Sequence, residues 1–295
     1  MTNKKNAAII GPGNIGTDLL IKAMRSDSIN PLWMVGIEAS PGIERAESMG
    51  LNVSTTGIEG LLPAIEKDDI RFVFDATSAY VHQAHVDALA EYDVTIVDLT
   101  PAAVGPFCIP PVNLDALLAQ GVSGIVNMVT CGGQATIPLV AAVSRVQSVD
   151  YAEIVATVAS ASVGMGTRDN IDEFTRTTAS AIEQIGGAKQ GKAIIIINPA
   201  EPPLIMRDTV HCLTTESPDQ AAIIESFDAM IKDVQQYVPG YKLLNPPVFD
   251  ENRVTISVQV EGLGDFLPKY SGNLDIMTAA ALRTAEMIAL NQPGS

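Results

Sequence analysis

The sequence predicts a two-part α/β protein, with a parallel sheet in its first half and a mixed sheet in its second. The length of 295 residues fits two domains of about 150 residues each. Up to about residue 145, short apolar runs alternate with helical patterns, which is typical of βαβ units. Beyond that point the apolar runs are longer and only two clear helices separate them, which favours a mixed sheet with helices on one face.

The first half is predicted to form parallel strands joined by right-handed crossovers. The predicted strands are residues 7–10, 32–37, 71–75, 94–98 and 124–129. The predicted helices are residues 14–24 and 81–91. Because crossover helices lie on both sides of such a sheet, we expect its strands to be buried on both faces.

The second half contains strands rich in β-branched residues, at 151–158, 192–197, 204–213 and 253–260. One helix begins near Asn170 and ends before Gly186. The next is predicted to begin at Ser217, with Pro218 at its first position and Gln220 completing a capping box, and to end near residue 239. An Ala-rich helix at 273–290 ends the chain.

Composition and charge exclude several classes of protein. With 47% hydrophobic and 18% charged residues, the chain is not intrinsically disordered. The net charge of −16 argues against nucleic acid or an anionic membrane as partner. It does not exclude an anionic ligand, because helix N-termini bind phosphate without basic side chains. No apolar run approaches the roughly 20 residues of a membrane span.

Cysteine usage predicts a reducing compartment. The three cysteines, Cys108, Cys131 and Cys212, cannot all pair within the chain. Residues 1–6 contain no apolar signal region. We therefore expect a cytoplasmic protein with a thiol available for chemistry.

A glycine-rich G-x-G-x-x-G motif follows the first predicted strand and begins the first helix. Its residues are Gly11, Pro12, Gly13, Asn14, Ile15 and Gly16. Glu38 ends the second predicted strand about 20 residues later, where an acid binds ribose hydroxyls. The pattern predicts a Rossmann dinucleotide site that prefers NAD to NADP, the alternative being a simple glycine-rich turn.

Cys131 is the candidate nucleophile, because it follows a predicted strand and precedes an apolar helix. At a helix N-terminus, the dipole and free N–H groups lower the pKa of a thiol and can stabilise an oxyanion. A buried structural role is the alternative, but cysteine with a nicotinamide is the combination that oxidises aldehydes. Cys108 and Cys212 are predicted to be structural.

The nucleophile needs a base, and the chain has three histidines. His82 and His85 lie on a predicted helix and are interpreted as surface or packing residues. Asp208 and His211 lie on one predicted strand with opposite parity, so only one of them can face the site. An ion pair with a nearby base is the alternative role for Asp208.

The loop before the second domain's first helix contains two glycines that would let it approach a ligand. Its residues are Ser162, Val163, Gly164, Met165, Gly166, Thr167, Arg168, Asp169 and Asn170. Asp169 or Asn170 can cap the helix, and an ordinary capped loop is the alternative. We predict no metal site, since histidines are few and cysteines scattered.

Seven stretches of the chain closely resemble the acylating acetaldehyde dehydrogenases of the aromatic meta-cleavage pathway. They are residues 11–18, 74–81, 98–103, 127–138, 172–178, 198–208 and 272–277. The resemblance implies the fold of aspartate-semialdehyde and glyceraldehyde-phosphate dehydrogenases. Residues 1–130 would form a Rossmann NAD-binding domain and residues 131–272 a catalytic and dimerisation domain, with the helix in 273–295 returning to the first.

The resemblance also implies roles for individual residues. Cys131 matches the acyl-thioester nucleophile, and Asp208 matches its acidic partner. Ile171 and Ile195 match the aldehyde route and the acyl pocket. The implied NAD contacts are Gly11 to Asn14, the loop 162–170 and Asn273. Glu38 departs from the Asp that is usual in the family.

The implied reaction converts acetaldehyde and short aldehydes, with NAD and coenzyme A, to acyl-CoA and NADH. The implied assembly is a homodimer joined by two subunits of 4-hydroxy-2-oxovalerate aldolase. One alternative is a phosphorylating semialdehyde dehydrogenase, in which Arg168, Arg176 and Arg207 would bind phosphate and a substrate carboxylate. The other alternative is a redox-sensing NAD-binding module without catalysis.

Overall fold

The first sheet of the computed structural model has six parallel strands in the order β3-β2-β1-β4-β5-β6. The strands are β1 (Lys5–Ile10), β2 (Ile29–Val35), β3 (Asn52–Ser54), β4 (Ile70–Asp75), β5 (Thr95–Asp98) and β6 (Ile125–Asn127). The helices are α1 (Asn14–Ala23), α2 (Pro41–Ser48), α3 (Leu62–Lys67), α4 (Ala79–Leu89) and α5 (Pro110–Gln120). This is the doubly wound Rossmann order, so the predicted parallel sheet is confirmed.

The structure describes residues 4–122, 124–164, 168 and 170–291. Contacts divide the chain into two units. The first comprises the described parts of Met1–Cys108, Asp115–Met128 and Thr278–Ser295. The second comprises Ile109–Leu114 and the described parts of Val129–Met277.

The core of the first unit is centred on β1 and β4, whose residues from 7 to 10 and from 72 to 75 are all buried. Burial along consecutive residues is expected of strands covered on both faces. The end of the last helix, α9 (Gly272–Asn291), packs against α1 in this unit. Thr278 donates to Oδ2 of Asp18 at 2.6 Å, and Lys22 forms a buried ion pair with the same carboxylate.

The second unit is built on a mixed sheet in the order β10-β12-β9-β7-β8, with β11 paired to β12. The strands are β7 (Val149–Ala159), β8 (Gly191–Asn198), β9 (Met206–Thr214), β10 (Tyr241–Leu243), β11 (Val248–Asp250) and β12 (Arg253–Val260). Its other helices are α6 (Cys131–Ser144), α7 (Ile171–Gln184) and α8 (Gln220–Gln235). β7 and β8 are parallel and the other pairs antiparallel, so the predicted mixed sheet is also confirmed.

One face of this sheet is covered by helices. Along β9, alternate residues from Met206 to Thr214 are buried, while those between them are partly or fully exposed. Helix α6 packs on the buried face, where it contacts β7, β9 and β12. No helix of the described residues is long and apolar enough to span a membrane.

The predicted start of α8 was wrong. The helix begins at Gln220, and Asp219 caps it by accepting a hydrogen bond from the N–H of Ala222 at 3.1 Å. A carboxylate at this position satisfies a free N–H and suits the helix dipole, so it replaces Ser217 as the cap. The short elements α2, α3, β3, β10 and β11 were missed, because so few residues carry little periodicity. The 11-residue helix α5 was also missed, because it has no clear apolar stripe and Leu114 is its one buried residue.

Candidate active site

The glycine loop of the first unit has the shape of a phosphate cradle. Gly11 has φ of +103°, and a Cβ there would lie 2.6 Å from the carbonyl oxygen of Ala76. A Cβ on Gly16 would lie 1.9 Å from the carbonyl oxygen of Gly11. A Cβ on Gly13 would meet nothing within 4 Å, so open space lies before the start of α1. No side chain caps α1 at Gly13, which leaves first-turn N–H groups for an anion.

Glu38 lies beyond the end of β2 rather than at its last position. The strand ends at Val35, and Glu38 is exposed in the loop that precedes α2. Ser40 caps α2 by accepting from the N–H of Ile43 at 3.3 Å. The carboxylate therefore follows the second strand at the edge where a Rossmann fold binds ribose.

In the second unit, Cys131 is the first residue of α6 and is half-buried. The preceding residue, Thr130, is the N-cap, and its Oγ1 accepts from the N–H of Gly133 at 2.9 Å. Val129 has φ of +63°, a conformation that costs a β-branched residue about 1–3 kcal/mol. Helix α6 therefore begins directly after a strained turn, and its first residue carries the thiol.

A chain of hydroxyl groups holds this helix N-terminus. Thr178 on α7 donates to the carbonyl of Phe174 at 2.6 Å, so its oxygen must accept the contact that it makes with Thr130 at 2.7 Å. Thr130 in turn accepts from Gly133. The hydroxyl hydrogens of Thr130 and Thr178 are therefore each assigned to one acceptor.

Gly132 lies next to the thiol at a tightly packed point. A Cβ there would lie 2.7 Å from the ring of Phe174 and 3.2 Å from the Cβ of Ala156. The absent side chain lets α6 approach both α7 and β7. The first turn of α6 is thus fixed by packing as well as by hydrogen bonds.

Asp208 is buried on the helix-covered face of β9, and His211 is on the opposite face. Oδ1 of Asp208 accepts from the N–H of Thr157 at 3.0 Å, and its Oδ2 has no hydrogen-bond partner among the described residues. His211 Nδ1 lies 2.9 Å from Oγ1 of Thr255. The packing of α6 therefore selects Asp208 as the residue that faces the thiol's helix.

The expected lowering of the pKa of Cys131 is wrong for this structure. Burial and the charge of Asp208 raise the pKa of the thiol to about 12, against the opposing effect of the N–H groups of Gly132 and Cys131. Burial also raises the pKa of Asp208 well above its usual range, against the N–H of Thr157. Burial thus opposes the charged form of both the thiol and the carboxyl group.

Ile195 and Asp208 belong to one row across the sheet. Ala156 is in register with both of them, so the three side chains lie on the same face. Ile171 is the first residue of α7, and both isoleucines are half-buried. The strand register therefore places the side chains of Ile195 and Asp208 together on the face of the sheet against which α6 packs.

The loop before α7 is only partly described. Met165, Gly166, Thr167 and Asp169 lie outside the described residues. Ser162 is buried and donates to the carbonyl of Ala159 at 2.8 Å. Arg168 donates to Oγ of Ser160 at 2.9 Å and to the carbonyl of Val163 at 3.3 Å.

The remaining residues of the predicted site are Gly164, Asn170 and Asn273. Gly164 is exposed, and Asn170 occupies the N-cap of α7. Asn273 is buried near the start of α9, and its Oδ1 has no hydrogen-bond partner within the described part of the chain. The glycine motif and Glu38 belong to the first unit, whereas this loop, Asn273, Cys131 and Asp208 belong to the second.

Cys108, Cys212 and His82 are more deeply buried than Cys131. Cys108 and Cys212 are fully buried, and burial raises the pKa of each thiol to about 12. The interpretation of His82 as a surface or simple packing residue was wrong, because it is buried between two carboxylates. Among the described residues, no group of His, Cys, Asp and Glu could hold a metal ion.

Close relatives exist over nearly the full length of the chain. Acetaldehyde dehydrogenase from Shewanella halifaxensis is 67% identical over 98% of this chain and 94% of its own length. Acetaldehyde dehydrogenase 2 from Cupriavidus necator is 67% identical over 97% of this chain and 95% of its own. The chain belongs to the acetaldehyde dehydrogenase family. This confirms the resemblance to the acylating acetaldehyde dehydrogenases.

The family's dimerisation domain lies in the second unit. A family model described as "Prokaryotic acetaldehyde dehydrogenase, dimerisation" matches residues 131–268, which supports a homodimer. An aspartate semialdehyde dehydrogenase II from Vibrio cholerae, solved in complex with ASA, matches with a TM-score of 0.66 over 99% of this chain and 100% of that one. At 13% identity this match concerns the fold alone.

Proposed function

We propose that this member of the acetaldehyde dehydrogenase family oxidises acetaldehyde and other short aldehydes and transfers the acyl group to coenzyme A. The balanced reaction is aldehyde, NAD⁺ and coenzyme A to acyl-CoA, NADH and a proton. The observation that carries the proposal is the position of Cys131 at the start of α6, with the buried carboxyl group of Asp208 acting on its pKa. Residues 1–130 would bind the dinucleotide, and residues 131–272 would carry catalysis and dimerisation.

Cys131 is the nucleophile of the proposed reaction. Its thiolate adds to the aldehyde carbon and forms a thiohemiacetal, which after oxidation becomes a thioester. The N–H groups at the start of α6 and the helix dipole stabilise the negative charge on sulfur and then on the aldehyde oxygen. The thiol of coenzyme A then displaces Cys131 from the acyl group, which regenerates the enzyme.

Asp208 is the proton acceptor for the thiol. Its Oδ2 is the oxygen available for the proton, since Oδ1 is occupied by the N–H of Thr157. The raised pKa of the carboxyl group brings it closer to that of the thiol, which makes proton transfer between them less costly. The neutral acid that results no longer opposes the thiolate charge.

The glycine loop suits the pyrophosphate of a dinucleotide. The open space at Gly13 and the uncapped first turn of α1 would accept the phosphates. Glu38 would accept hydrogen bonds from ribose hydroxyls and repel a 2′-phosphate, so NAD is preferred to NADP. When bound, the cofactor supplies the acceptor for the hydride. The loop 162–170 and Asn273 are the further proposed contacts.

Ile195 and Ile171 limit the length of the aldehyde in this proposal. Ile195 shares a sheet face with Asp208, so its side chain borders the space where the acyl group forms. Each additional methylene changes discrimination by only about 1–3 kcal/mol. The selectivity for two- and three-carbon aldehydes would therefore be graded rather than absolute.

The arginines do not favour the phosphorylating alternative. Arg176 is exposed and pairs with Asp172 at 3.4 Å. Arg207 projects on the opposite face of β9 from Asp208. Arg168 is hydrogen-bonded within its own loop. Coenzyme A is therefore the proposed acyl acceptor.

The deciding experiment is an NADH-forming assay with acetaldehyde, NAD⁺ and coenzyme A. Parallel reactions omit coenzyme A or replace it with inorganic phosphate. We expect steady turnover only with coenzyme A. Turnover supported by phosphate would favour the phosphorylating reaction, and dinucleotide binding without any turnover would favour a sensor.

We also propose a cytoplasmic assembly of two copies of this chain with two subunits of 4-hydroxy-2-oxovalerate aldolase, acting in aromatic catabolism. Acetaldehyde is volatile and reactive, so direct transfer from an aldolase would limit its loss. Co-expression followed by light scattering of the purified complex tests this. Recovery of the dehydrogenase without the aldolase would contradict it.

A further inference from the structure

A buried polar cluster lies at the carboxyl ends of three neighbouring strands in the first unit. Asp75, Asp98 and Asn127 are the last residues of β4, β5 and β6, and they are directly in register. All three are fully buried, as is His82 on α4. In a doubly wound sheet this edge is where ligands bind.

His82 connects the two carboxylates of the cluster. Its Nδ1 lies 2.8 Å from Oδ2 of Asp75, and its Nε2 lies 3.2 Å from Oδ2 of Asp98. Asn127 donates to the same oxygen of Asp98 at 2.6 Å. One imidazole ring therefore bridges the ends of two adjacent strands.

His85 provides a natural comparison within the cluster. Its Nδ1 lies 2.7 Å from the same Oδ2 of Asp75. Among the ion pairs of the described residues, His85 reaches Asp75 and not Asp98. The two histidines thus share one carboxylate, but only His82 joins two strands.

The surroundings of His82 favour its charged form. Nδ1 must carry a proton to donate to the carboxylate of Asp75, whereas Nε2 has no hydrogen-bond partner among the described residues and contacts the carboxylate of Asp98 as an ion pair. Burial lowers the pKa of His82, but its hydrogen bond to Asp75 and the charges of Asp98 and Asp75 outweigh burial and raise it. Burial raises the pKa of Asp98 to about 6, against His82 and Thr100.

The carboxylates of Asp75 and Asp98 also accept hydrogen bonds from the loops that follow their strands. Oδ1 of Asp75 accepts from the N–H of Thr77 at 3.1 Å and from its hydroxyl. Oδ1 of Asp98 accepts from the N–H of Thr100 at 2.7 Å. Each carboxylate therefore uses one oxygen for its own loop and the other for His82.

The loop after β4 packs directly on the glycine motif. The N–H of Ala76 donates to the carbonyl of Ile10 at 2.8 Å. A Cβ on Gly11 would lie 2.6 Å from the carbonyl oxygen of Ala76 and 3.2 Å from Cγ2 of Thr77. A shift of this loop would therefore move the backbone that lines the phosphate cradle.

We propose that His82 is a positioning residue for the dinucleotide, because it joins Asp75 to Asp98 and so fixes the loop after β4 against Gly11. The cofactor in this inference rests on the proposed function. The affinity for a pyridine dinucleotide then depends on the bridge between β4 and β5, and not merely on the presence of a histidine beside Asp75.

The test uses two substitutions of His82, each of which keeps one of its two contacts, and one matched control, all in the full-length chain. The amide of Asn in H82N can replace Nδ1 and keep the bond to Asp75, while that of Gln in H82Q can replace Nε2 and keep the contact with Asp98. H85N is the matched control, because it removes a histidine from the same oxygen of Asp75 and leaves His82 and Asp98 in place. NADH binding is read from quenching of Trp33, which is the only tryptophan of the chain.

We expect both H82 variants to raise the Kd for NADH about tenfold, comparable to losing one hydrogen bond to a charged group, and H85N to change it less. In turnover, KM for NAD⁺ should rise while kcat stays near that of the parent protein. The rate of Cys131 alkylation, a property of the second unit, should not change. Parent-like NADH affinity in folded H82N and H82Q would overturn the inference.

A second measurement keeps the inference testable if the variants do not fold. In the unaltered protein, the charged bridge is complete at about pH 7, where Asp98 is ionised, and is lost as pH rises through the raised pKa of His82. The Kd for NADH should therefore increase with pH above 7, and a Kd that stays constant through the deprotonation of His82 would overturn the inference. If the unaltered protein bound no NADH at any pH, the proposed function itself would fail.

Discussion

At Cys131, burial opposes the thiolate that the proposed chemistry requires. The pKa of about 12 means that a very small fraction of the thiol is ionised near neutral pH in this state. Two backbone N–H groups act in the opposite direction, and in the proposed mechanism the proton passes to Asp208 as the substrate reacts. The thiol is thus held protonated until a proton acceptor is used, which protects it from adventitious alkylation and oxidation.

Replacing this thiol separates chemistry from cofactor binding. We expect C131A to form no acyl-CoA, because no other described cysteine lies at a helix N-terminus, while its affinity for NADH stays unchanged. C108A and C212A are matched controls that remove buried thiols and should retain turnover. The measurement is NADH formation at 340 nm alongside NADH titration. Substantial turnover by C131A would exclude Cys131 as the nucleophile.

Asp208 should have opposite effects on turnover and on the free thiol. D208N removes the proton acceptor, so kcat should fall about 10²-fold, the low end for loss of a general base. It also removes a negative charge that raises the pKa of Cys131, so the thiol should be alkylated faster at alkaline pH. Alkylation rates across pH and kcat are measured on the same preparations.

His211 serves as the control for Asp208, since it lies on the same strand but on the opposite face. H211A should leave both the pH profile of alkylation and kcat close to those of the parent protein. If H211A lost more activity than D208N, the roles of the two residues would have to be exchanged.

At the scale of elements, the register of β7, β8 and β9 decides which side chains share a sheet face with Asp208 and would border the proposed acyl group. Ile195, Ala156 and Asp208 share one row, whereas Ile196 lies on the other face and is 45% exposed. A slip of one residue in β8 would exchange Ile195 for a neighbour and turn the whole strand over. If Ile195 lines the acyl pocket as proposed, substrate size is controlled by strand pairing.

Truncating Ile195 should shift selectivity toward longer aldehydes. I195A enlarges the proposed pocket, so kcat/KM for four- and five-carbon aldehydes should rise about 10-fold relative to acetaldehyde, near the low end of what one methylene allows. I196A, on the same strand but the opposite face, should leave the profile unchanged. An unaltered profile in I195A would show that Ile195 does not line the pocket.

At the scale of the whole molecule, the face of the second sheet that α6 leaves uncovered is suited to pairing of two chains. Val155 is in register with Ile194 on one side and Thr209 on the other, and all three are partly exposed. Leu213 on the same face is 41% exposed. Because this uncovered face lies within the family's dimerisation domain, we expect it to form the interface between identical chains.

A charge at the centre of that face should separate the dimer. V155E would bury an unpaired carboxylate on both sides of a two-fold interface, so we expect a monomer by analytical ultracentrifugation. I224E is the matched control, because Ile224 is 41% exposed on α8 rather than on the sheet. It should remain dimeric. A dimeric V155E would place the interface elsewhere.

Local sequence signals were sufficient for the features that depend on a few consecutive residues. The glycine motif between β1 and α1 and the position of Cys131 before an apolar helix both follow from spacing along the chain. The parallel and mixed sheets were also predictable, because periodicity and the number of intervening helices differ between the two halves. The opposite parity of Asp208 and His211 was likewise evident from the strand pattern.

The surroundings of Cys131, Asp208 and His82 were decided only by the tertiary structure. The packing of α6 on one side of β9 placed Asp208 rather than His211 on the helix-covered face and half-buried Cys131, and burial reversed the pKa shift that the helix dipole alone predicts. His82 is an ordinary helical residue until β4 and β5 pair and bring Asp75 level with Asp98. Such effects depend on the distance between residues far apart in the chain, and periodicity within a segment carries no information about that distance.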